Sequence, residues 1–140
     1  MDASARLLVV EDDADIRSAL VEYLSFEGYE VAAAADGREG LDRLATGPVP
    51  RAVLLDVNMP VLDGFTALRE MRQNPAWAAI PVILASADPL APAHQTERYL
   101  HKPFTLDELM SLLDDILAEG RSLPQPAGAA LESGRRPTIA

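Results

Sequence analysis

The chain has 140 residues, of which 49% are hydrophobic and none is cysteine. This length suits one ordinary core, and the lack of cysteine excludes disulfides, thiolate metal sites and a thiol nucleophile. The net charge of −10 at pH 7 makes nucleic acid an unfavourable partner. The first residues lack the pattern of a secretory signal, and no apolar run is long enough to span a bilayer. We therefore expect one cytoplasmic domain that binds neither nucleic acid nor a membrane.

The hydrophobic pattern alternates between short β-rich runs and longer helical stripes. The segment LLVVE at residues 7–11 predicts a strand, after which Asp13 is placed to cap a helix that ends at Gly28. The apolar residues of this helix that share one face are Ile16, Leu20, Tyr23 and Leu24. The start of the chain is therefore a strand followed by an amphipathic helix.

A second and a third strand follow, with one helix between them. YEVAAAA at residues 29–35 predicts the second strand, and the next helix opens at Asp36 with Leu41 and Leu44 facing inward. AVLLD at residues 52–56 predicts the third strand. It is apolar up to its last residue, as expected for a parallel strand that is covered on both faces.

The second half of the chain repeats the alternation. The predicted elements are a helix from about Phe65 to Gln73, strands at IPVILAS (80–86) and YLH (99–101), and a helix from about Leu106 to Ala118. Thr105 and Glu108 stand at capping-box spacing at the start of the last helix. Five strands that alternate with helices indicate a doubly wound α/β fold, in which ligands bind at the carboxyl ends of the strands.

Acidic residues stand at two of these strand ends. Glu11, Asp12 and Asp13 come at the end of the first strand, and Asp56 closes the third. Carboxylates crowded at one edge of a sheet repel each other without a cation, and hard oxygen ligands that face water suit Mg²⁺. The sequence therefore predicts a magnesium site at this edge. The alternative is that Glu11 and Asp13 only complement the positive N-terminus of the next helix, and for Asp13 this is the better interpretation.

Polar residues also close the fourth and fifth strands. Ser86 ends the fourth strand with a hydroxyl that could donate to a phosphoryl oxygen, although a serine in this place is also a common turn former. Lys102 follows the fifth strand and is the only lysine of the chain. Its compact ammonium suits contact with a phosphate or a carboxylate. The alternative for Lys102 is a surface lysine without a role.

Four segments together resemble the receiver domain of two-component response regulators, and the resemblance covers residues 6 to about 119. They are LLVVEDDADIR, LLDVNMPVLDGF, PVILASA and YLHKPFTLDEL. Each segment alone is a weak signal, but their joint occurrence in this order is highly specific. The resemblance implies a receiver domain at residues 1–120, with a flavodoxin-like five-stranded parallel sheet of strand order 2-1-3-4-5.

The resemblance implies a function centred on Asp56, which matches the phosphoacceptor of the family. A histidine kinase or a phosphotransfer protein would donate the phosphoryl group in the presence of Mg²⁺, and the modified domain would switch its binding to a downstream protein. Ser86 and Lys102 match the residues that contact the phosphoryl group, and the Lys102-Pro103 bond is expected to be cis. Because such a domain catalyses only its own phosphorylation and dephosphorylation, we do not expect an enzyme that acts on a separate substrate.

The metal ligands and a switch residue are implied in the same way. Asp12 matches the acid that binds Mg²⁺ directly, and Glu11 matches the acid that acts through water. Asp56 and the main-chain carbonyl of Asn58 complete the implied set of ligands. Tyr99 matches the aromatic switch residue, for which the alternative is a half-buried tyrosine of an edge strand.

Two regions depart from the family pattern or lie beyond it. The segment between Ser86 and Lys102 is several residues shorter than in most receivers and contains Pro89 and Pro92. We therefore expect a fourth helix that is short or absent, with a loop of at most one or two helical turns at residues 87–98. Residues 121–140 are rich in proline and glycine and show little apolar periodicity, so we expect a disordered tail.

The leading interpretation is a stand-alone receiver, because the roughly twenty residues of the expected tail are too few for an output domain. Three other interpretations remain open. A pseudo-receiver would bind partners without phosphorylation, and a receiver that is part of a hybrid kinase would carry the same site within a longer protein. A metal-dependent phosphatase with an aspartate nucleophile on a doubly wound sheet is the third. That class typically has its nucleophile after the first strand and a second aspartate two residues on, whereas Asp56 ends the third strand and is followed by Val57 and Asn58.

Overall fold

The computed structural model describes residues 5–59, 61–87 and 98–120. The strands in these ranges are β1 (Arg6–Val10), β2 (Glu30–Ala34), β3 (Ala52–Asp56), β4 (Val82–Ser86) and β5 (Arg98–His101). The helices in these ranges are α1 (Ala14–Phe26), α2 (Gly37–Thr46), α3 (Gly64–Gln73) and α4 (Leu106–Gly120). Each element predicted from the periodicity is present, and its ends differ from the prediction by at most one or two residues.

The five described strands form one parallel sheet in the order β2-β1-β3-β4-β5, which confirms the expected fold class. The register pairs Val10 with Leu55 and Asp56 with Ala85. Ser86 is paired with His101 at the end of the last two strands. Because all the strands run in the same direction, the residues that follow β1, β3, β4 and β5 meet at one edge of the sheet, which is called the carboxyl edge below.

Helices cover both faces of the sheet, and β1 contributes alternate residues to the two sides. Leu8 and Val10 belong to the apolar cluster that includes Leu41 of α2 and several residues of α3. Leu7 and Val9 belong to the opposite cluster, which is closed by residues of α1 and α4. A strand covered on both faces needs apolar residues throughout, which explains the unbroken apolar run of β1.

Helix α1 begins at the predicted cap and carries the chain away from the carboxyl edge. The Asp13 carboxylate accepts hydrogen bonds from the amides of Asp15 at 2.9 Å and of Ile16 at 3.1 Å. Leu20 and Leu24 are buried as their spacing predicts, but Ile16 is 39% exposed. Ile16 lies in the first turn, next to the polar loop that follows β1, so it does not share the burial of the later residues on its face.

Some expectations lie outside the described residues or concern single bonds. The short or absent fourth helix falls mainly on residues 88–97, and the expected tail falls on residues 121–140, which the structure does not describe. The Lys102-Pro103 peptide bond is cis, as the resemblance implies. Within the described ranges, no helix combines the length and apolar content that crossing a bilayer requires.

Candidate functional site

Three carboxylates meet at the carboxyl edge of the sheet. Glu11 and Asp12 follow β1, Asp56 ends β3, and one carboxylate oxygen from each lies within 4.8 Å of the other two. Glu11 and Asp56 are 4% and 3% exposed, whereas Asp12 is exposed. A group of hard oxygen ligands with one side open to water fits Mg²⁺, because this ion prefers carboxylates and keeps several of its waters.

Lys102 places a positive charge beside two of these carboxylates. Its Nζ lies 2.9 Å from Oε1 of Glu11 and 3.4 Å from Oδ1 of Asp56. Burial by itself lowers the pKa of the Lys102 ammonium, but the hydrogen bond to Glu11 and the negative charges of Asp56 and Glu11 outweigh burial and raise it. The ammonium is therefore held in its charged form between the two buried carboxylates.

The carboxyl group of Asp56 has a pKa raised from 3.8 to about 7. Burial is the largest cause, the negative charge of Glu11 is the second, and hydrogen bonding with Asp12 adds to them. The charge and hydrogen bond of Lys102 act in the opposite direction but do not cancel the shift. One lysine therefore does not balance the negative charge of three neighbouring carboxylates.

The start of α3 packs directly against the main chain of Asp56. The amide of Gly64 donates to the carbonyl of Val57 at 2.9 Å. A Cβ at Gly64 would lie 2.3 Å from the carbonyl oxygen of Asp56, so only glycine permits this close approach. The amide of Asn58 lies 3.4 Å from Oδ1 of Asp56, and Asn58 is exposed. The ligand role of the Asn58 carbonyl stays a prediction.

The carbonyl of Ser86 links the ends of β4 and β5. It accepts hydrogen bonds from the Tyr99 hydroxyl at 2.9 Å and from the Lys102 amide, also at 2.9 Å. Ser86 is fully buried, and Tyr99 is half-buried against the cluster that includes α2 and α3. Half-burial is compatible with a switch residue and with an ordinary edge-strand tyrosine, so the switch role of Tyr99 stays a prediction.

Asp13 and Arg17 lie next to the three carboxylates but make different kinds of contact. Asp13 caps α1, as the sequence favoured, and its amide donates to Oε2 of Glu11 at 3.1 Å. The sequence predicted no role for Arg17. Its Nη1 lies 2.8 Å from the carbonyl oxygen of Glu11 and 3.4 Å from that of Asp12. The one available signal was an arginine in the first turns of the helix that follows the acids.

Comparison with known families and proteins gives a consistent result. The family model described as response regulator receiver domain matches residues 7–114. The chain is 43% identical over 123 residues to the transcriptional regulatory protein PrrA of Mycobacterium tuberculosis, and 40% identical over 118 residues to the response regulator MprA of Mycolicibacterium vanbaalenii. These alignments cover 81% and 80% of this chain but 50% of each relative, so the chain spans about half the length of the curated relatives it matches.

Solved structures show the same architecture. The receiver domain of the sensor histidine kinase PA1611 from Pseudomonas aeruginosa, with a magnesium ion coordinated in its active site cleft, is 30% identical with a TM-score of 0.76, covering 83% of this chain and 99% of that one. The response regulator TrrA from Thermotoga maritima, in complex with Mg²⁺-BeF, is 31% identical with a TM-score of 0.72, covering 80% of this chain and 98% of that one.

Proposed function

Since this chain belongs to the response regulator receiver domain family, we propose that it is a phosphoacceptor signalling domain of a two-component system. Asp56 takes a phosphoryl group from a phosphohistidine of a histidine kinase or phosphotransfer protein, and the modification switches binding to a downstream protein. The observation that carries the proposal is the buried carboxylate of Asp56, which lies beside Glu11, Asp12 and the Lys102 ammonium. A buried carboxylate whose pKa is raised by burial and by a neighbouring acid is typical of a functional site.

The transfer needs no base from the protein. An oxygen of the ionised Asp56 carboxylate attacks phosphorus, so a P–O bond forms while the P–N bond breaks and its electron pair leaves with the imidazole nitrogen. Lys102, whose Nζ lies 3.4 Å from Oδ1 of Asp56, is placed to pair with an oxygen of the transferred group. The Ser86 hydroxyl is the proposed second contact. Water later hydrolyses the acyl phosphate, which releases inorganic phosphate and restores the Asp56 carboxylate.

The donor set of the site fits Mg²⁺, which would supply positive charge that offsets the carboxylates and the transferred group. We assign Asp12, Asp56 and the main-chain carbonyl of Asn58 as direct ligands. Glu11 is assigned a role through water, because its two oxygens are already occupied by the Lys102 ammonium at 2.9 Å and the Asp13 amide at 3.1 Å. Asp12 is exposed and so offers its carboxylate on the open side of the site.

The proposal extends to the setting in which the domain acts. The domain works in the cytoplasm, catalyses only its own phosphorylation and dephosphorylation, and does not itself bind nucleic acid, for which its net charge of −10 is unfavourable. PrrA carries the name of a transcriptional regulator, but this chain matches half of its length. The likeness to the receiver domain of the kinase PA1611 favours one variant of the proposal, in which the same Asp56 chemistry serves a hybrid kinase.

Incubation with acetyl phosphate and Mg²⁺, followed by intact mass measurement, tests the phosphoacceptor role. We expect one added phosphoryl group, which Asp56→Asn or a chelator abolishes. Asp42→Asn is a matched control, since it makes the same chemical change at an exposed position of α2. Labelling of Asp56→Asn at the level of the control would remove Asp56 from the role. An unlabelled wild-type protein would favour the pseudo-receiver.

A further inference from the structure

Arg17 contacts the main chain of Glu11 and Asp12, the first two of the three acidic residues that follow β1. It is the only basic residue in the sequence of α1, ADIRSALVEYLSF. One guanidinium nitrogen, Nη1, lies 2.8 Å from the carbonyl oxygen of Glu11 and 3.4 Å from the carbonyl oxygen of Asp12. A single donor group therefore holds the two successive peptide units from which two of the site carboxylates project.

The choice of acceptor distinguishes Arg17 from Lys102. Lys102 contacts carboxylate oxygens, whereas Arg17 contacts the main-chain carbonyl oxygens of Glu11 and Asp12. An arginine paired with the carboxylates would compete with a metal ion for them. An arginine bound to the carbonyls orients the peptide groups and leaves the carboxylates available.

The rest of the loop fixes Arg17 in place. Its own amide donates to the Asp13 carbonyl at 2.8 Å in the first hydrogen-bonded turn of α1. The Asp13 carboxylate caps the same helix, and the Asp13 amide donates to Oε2 of Glu11. Hydrogen bonds at the start of α1 thus hold the loop at residues 11–13. The Arg17 side chain lies back over the same loop.

We propose that Arg17 is a positioning residue for the metal site. By holding the carbonyls of Glu11 and Asp12, it sets the orientation of both residues so that their carboxylates converge on Asp56. The role of Arg17 rests on the proposed function, because it requires that these acids hold Mg²⁺. Coulomb repulsion between Arg17 and a divalent cation acts in the opposite direction, so removing the charge alone would tighten Mg²⁺ binding. The sign of the change in Mg²⁺ affinity therefore distinguishes the two effects. Loss of positioning weakens binding, whereas loss of the repelling charge tightens it.

Titration calorimetry of Mg²⁺ on the full chain tests the proposal. We expect Arg17→Gln to weaken binding about tenfold, as is usual when a group that orients metal ligands is lost. Arg17→Lys keeps the repelling charge, but its nitrogen is one atom closer to the main chain than Nη1 of arginine, so we expect it to bind at least as weakly as Arg17→Gln. Arg51→Gln removes the same charge at an exposed position before β3, at the opposite edge of the sheet, and should bind like the wild type.

A second readout needs no metal. In the metal-free protein, the Asp13 amide that donates to Glu11 should exchange its hydrogen faster in both Arg17 variants and at the wild-type rate in Arg51→Gln. Circular dichroism at the titration temperature identifies which variants are folded, and the affinity of either folded variant decides the question. Affinity within about twofold of wild type, or tighter, in a folded Arg17 variant would overturn the positioning role. A wild-type protein that does not bind Mg²⁺ would refute the proposed function itself.

Discussion

The two edges of the sheet carry their charges in different ways. At the amino edge, Arg6 of β1 pairs with Glu30 of β2 at 3.1 Å, and the Glu30 side chain is 63% exposed. At the carboxyl edge, Lys102 faces Glu11 and Asp56, which are both buried. An exposed ion pair contributes at most about 1 kcal/mol. Buried carboxylates in excess of their cation instead raise the free energy of the folded state.

The difference separates a balanced, exposed pair of charges from a group of mostly buried charges that is not balanced. The amino-edge pair has one charge of each sign and is open to water, so its loss costs little. The carboxyl edge has three carboxylates beside one lysine, and the raised pKa of Asp56 reports the imbalance. A fold keeps such an arrangement where a ligand relieves it, and residues of this kind cluster at functional sites. Substitutions at the two edges should therefore have effects of different sign and size.

The largest expected effect is a gain of stability at the carboxyl edge. The pKa of Asp56 is about 7 in the folded protein against an ordinary value of 3.8, so ionising Asp56 costs stability as the pH rises through this window. In metal-free buffer, Asp56→Asn should raise the free energy of unfolding by about 2 to 4 kcal/mol above pH 7. The gain should nearly vanish near pH 3.5, where Asp56 is protonated in the folded state and mostly protonated in the unfolded state.

Denaturant unfolding with a chelator present, at pH 3.5, 5.5 and 8, measures this effect. Asp42→Asn serves again as the control and should change stability by less than about 0.5 kcal/mol at each pH. A gain that is equal at all three pH values would contradict the titration of Asp56 as its cause. Saturating Mg²⁺ should stabilise the wild type more than Asp56→Asn, since Asp56 is an assigned ligand.

Next in size is the difference between two neighbouring acids. Asp12→Asn should weaken Mg²⁺ binding at least about tenfold, because it removes an assigned ligand. Asp13→Asn removes the same charge but keeps a capping side chain, so we expect affinity within about threefold of wild type. Calorimetric titration of both variants compares them directly. Equal losses would show that the site responds to total charge and not to a particular carboxylate.

Lys102→Arg should separate metal binding from the response to phosphorylation. A guanidinium fork replaces a compact ammonium that lies between Glu11 and Asp56, so we expect Mg²⁺ affinity to change by less than about threefold. The change in amide exchange of β5 on treatment with acetyl phosphate should fall to less than about half. Arg98→Lys, the reverse exchange at the start of β5, is the control. A full response in Lys102→Arg would show that the shape of the cation is unimportant.

The smallest expected effect lies at the amino edge. Arg6→Gln breaks the pair with Glu30, and we expect it to lower the free energy of unfolding by less than about 0.5 kcal/mol, with no change in Mg²⁺ affinity. Denaturant unfolding at low and high salt measures it, and any loss should shrink as salt increases. A loss above about 2 kcal/mol would place the amino-edge pair among the structural supports of the fold.

Features set by local periodicity could be predicted from the sequence. The cap at Asp13 and the reciprocal bonds between Thr105 and Glu108, at 2.9 and 3.1 Å, follow from residue types at fixed spacing. That Glu11 and Asp56 share one edge follows from parallel strands alone. The strand order came from the resemblance to receivers, because periodicity does not determine which strands are neighbours.

Other features depend on side-chain conformation, backbone geometry and burial that the sequence does not encode locally. The contact between Arg17 and two carbonyls requires one extended rotamer over a particular loop. Val61 adopts a φ of +70° although β-branched residues rarely do so, and its 78% exposure gives no apolar pattern to signal it. Ile16 follows the helical spacing but lies beyond the buried part of its face. Periodicity predicts the face of a helix on which a side chain lies. Whether that side chain is buried also depends on how far the neighbouring sheet extends along the face.

The Ser86 carbonyl accepts two hydrogen bonds, one from the Tyr99 hydroxyl and one from the Lys102 amide. This arrangement affects the equilibrium between orientations of the Tyr99 ring. A ring that turns away from the sheet gives up its hydrogen bond to this oxygen, while the Lys102 amide keeps its own. One such bond contributes about 1 kcal/mol, which corresponds to roughly a fivefold ratio of populations. The bond to Ser86 therefore adds a bias of this size toward the hydrogen-bonded orientation of the ring, beside the contribution of its packing against the apolar cluster.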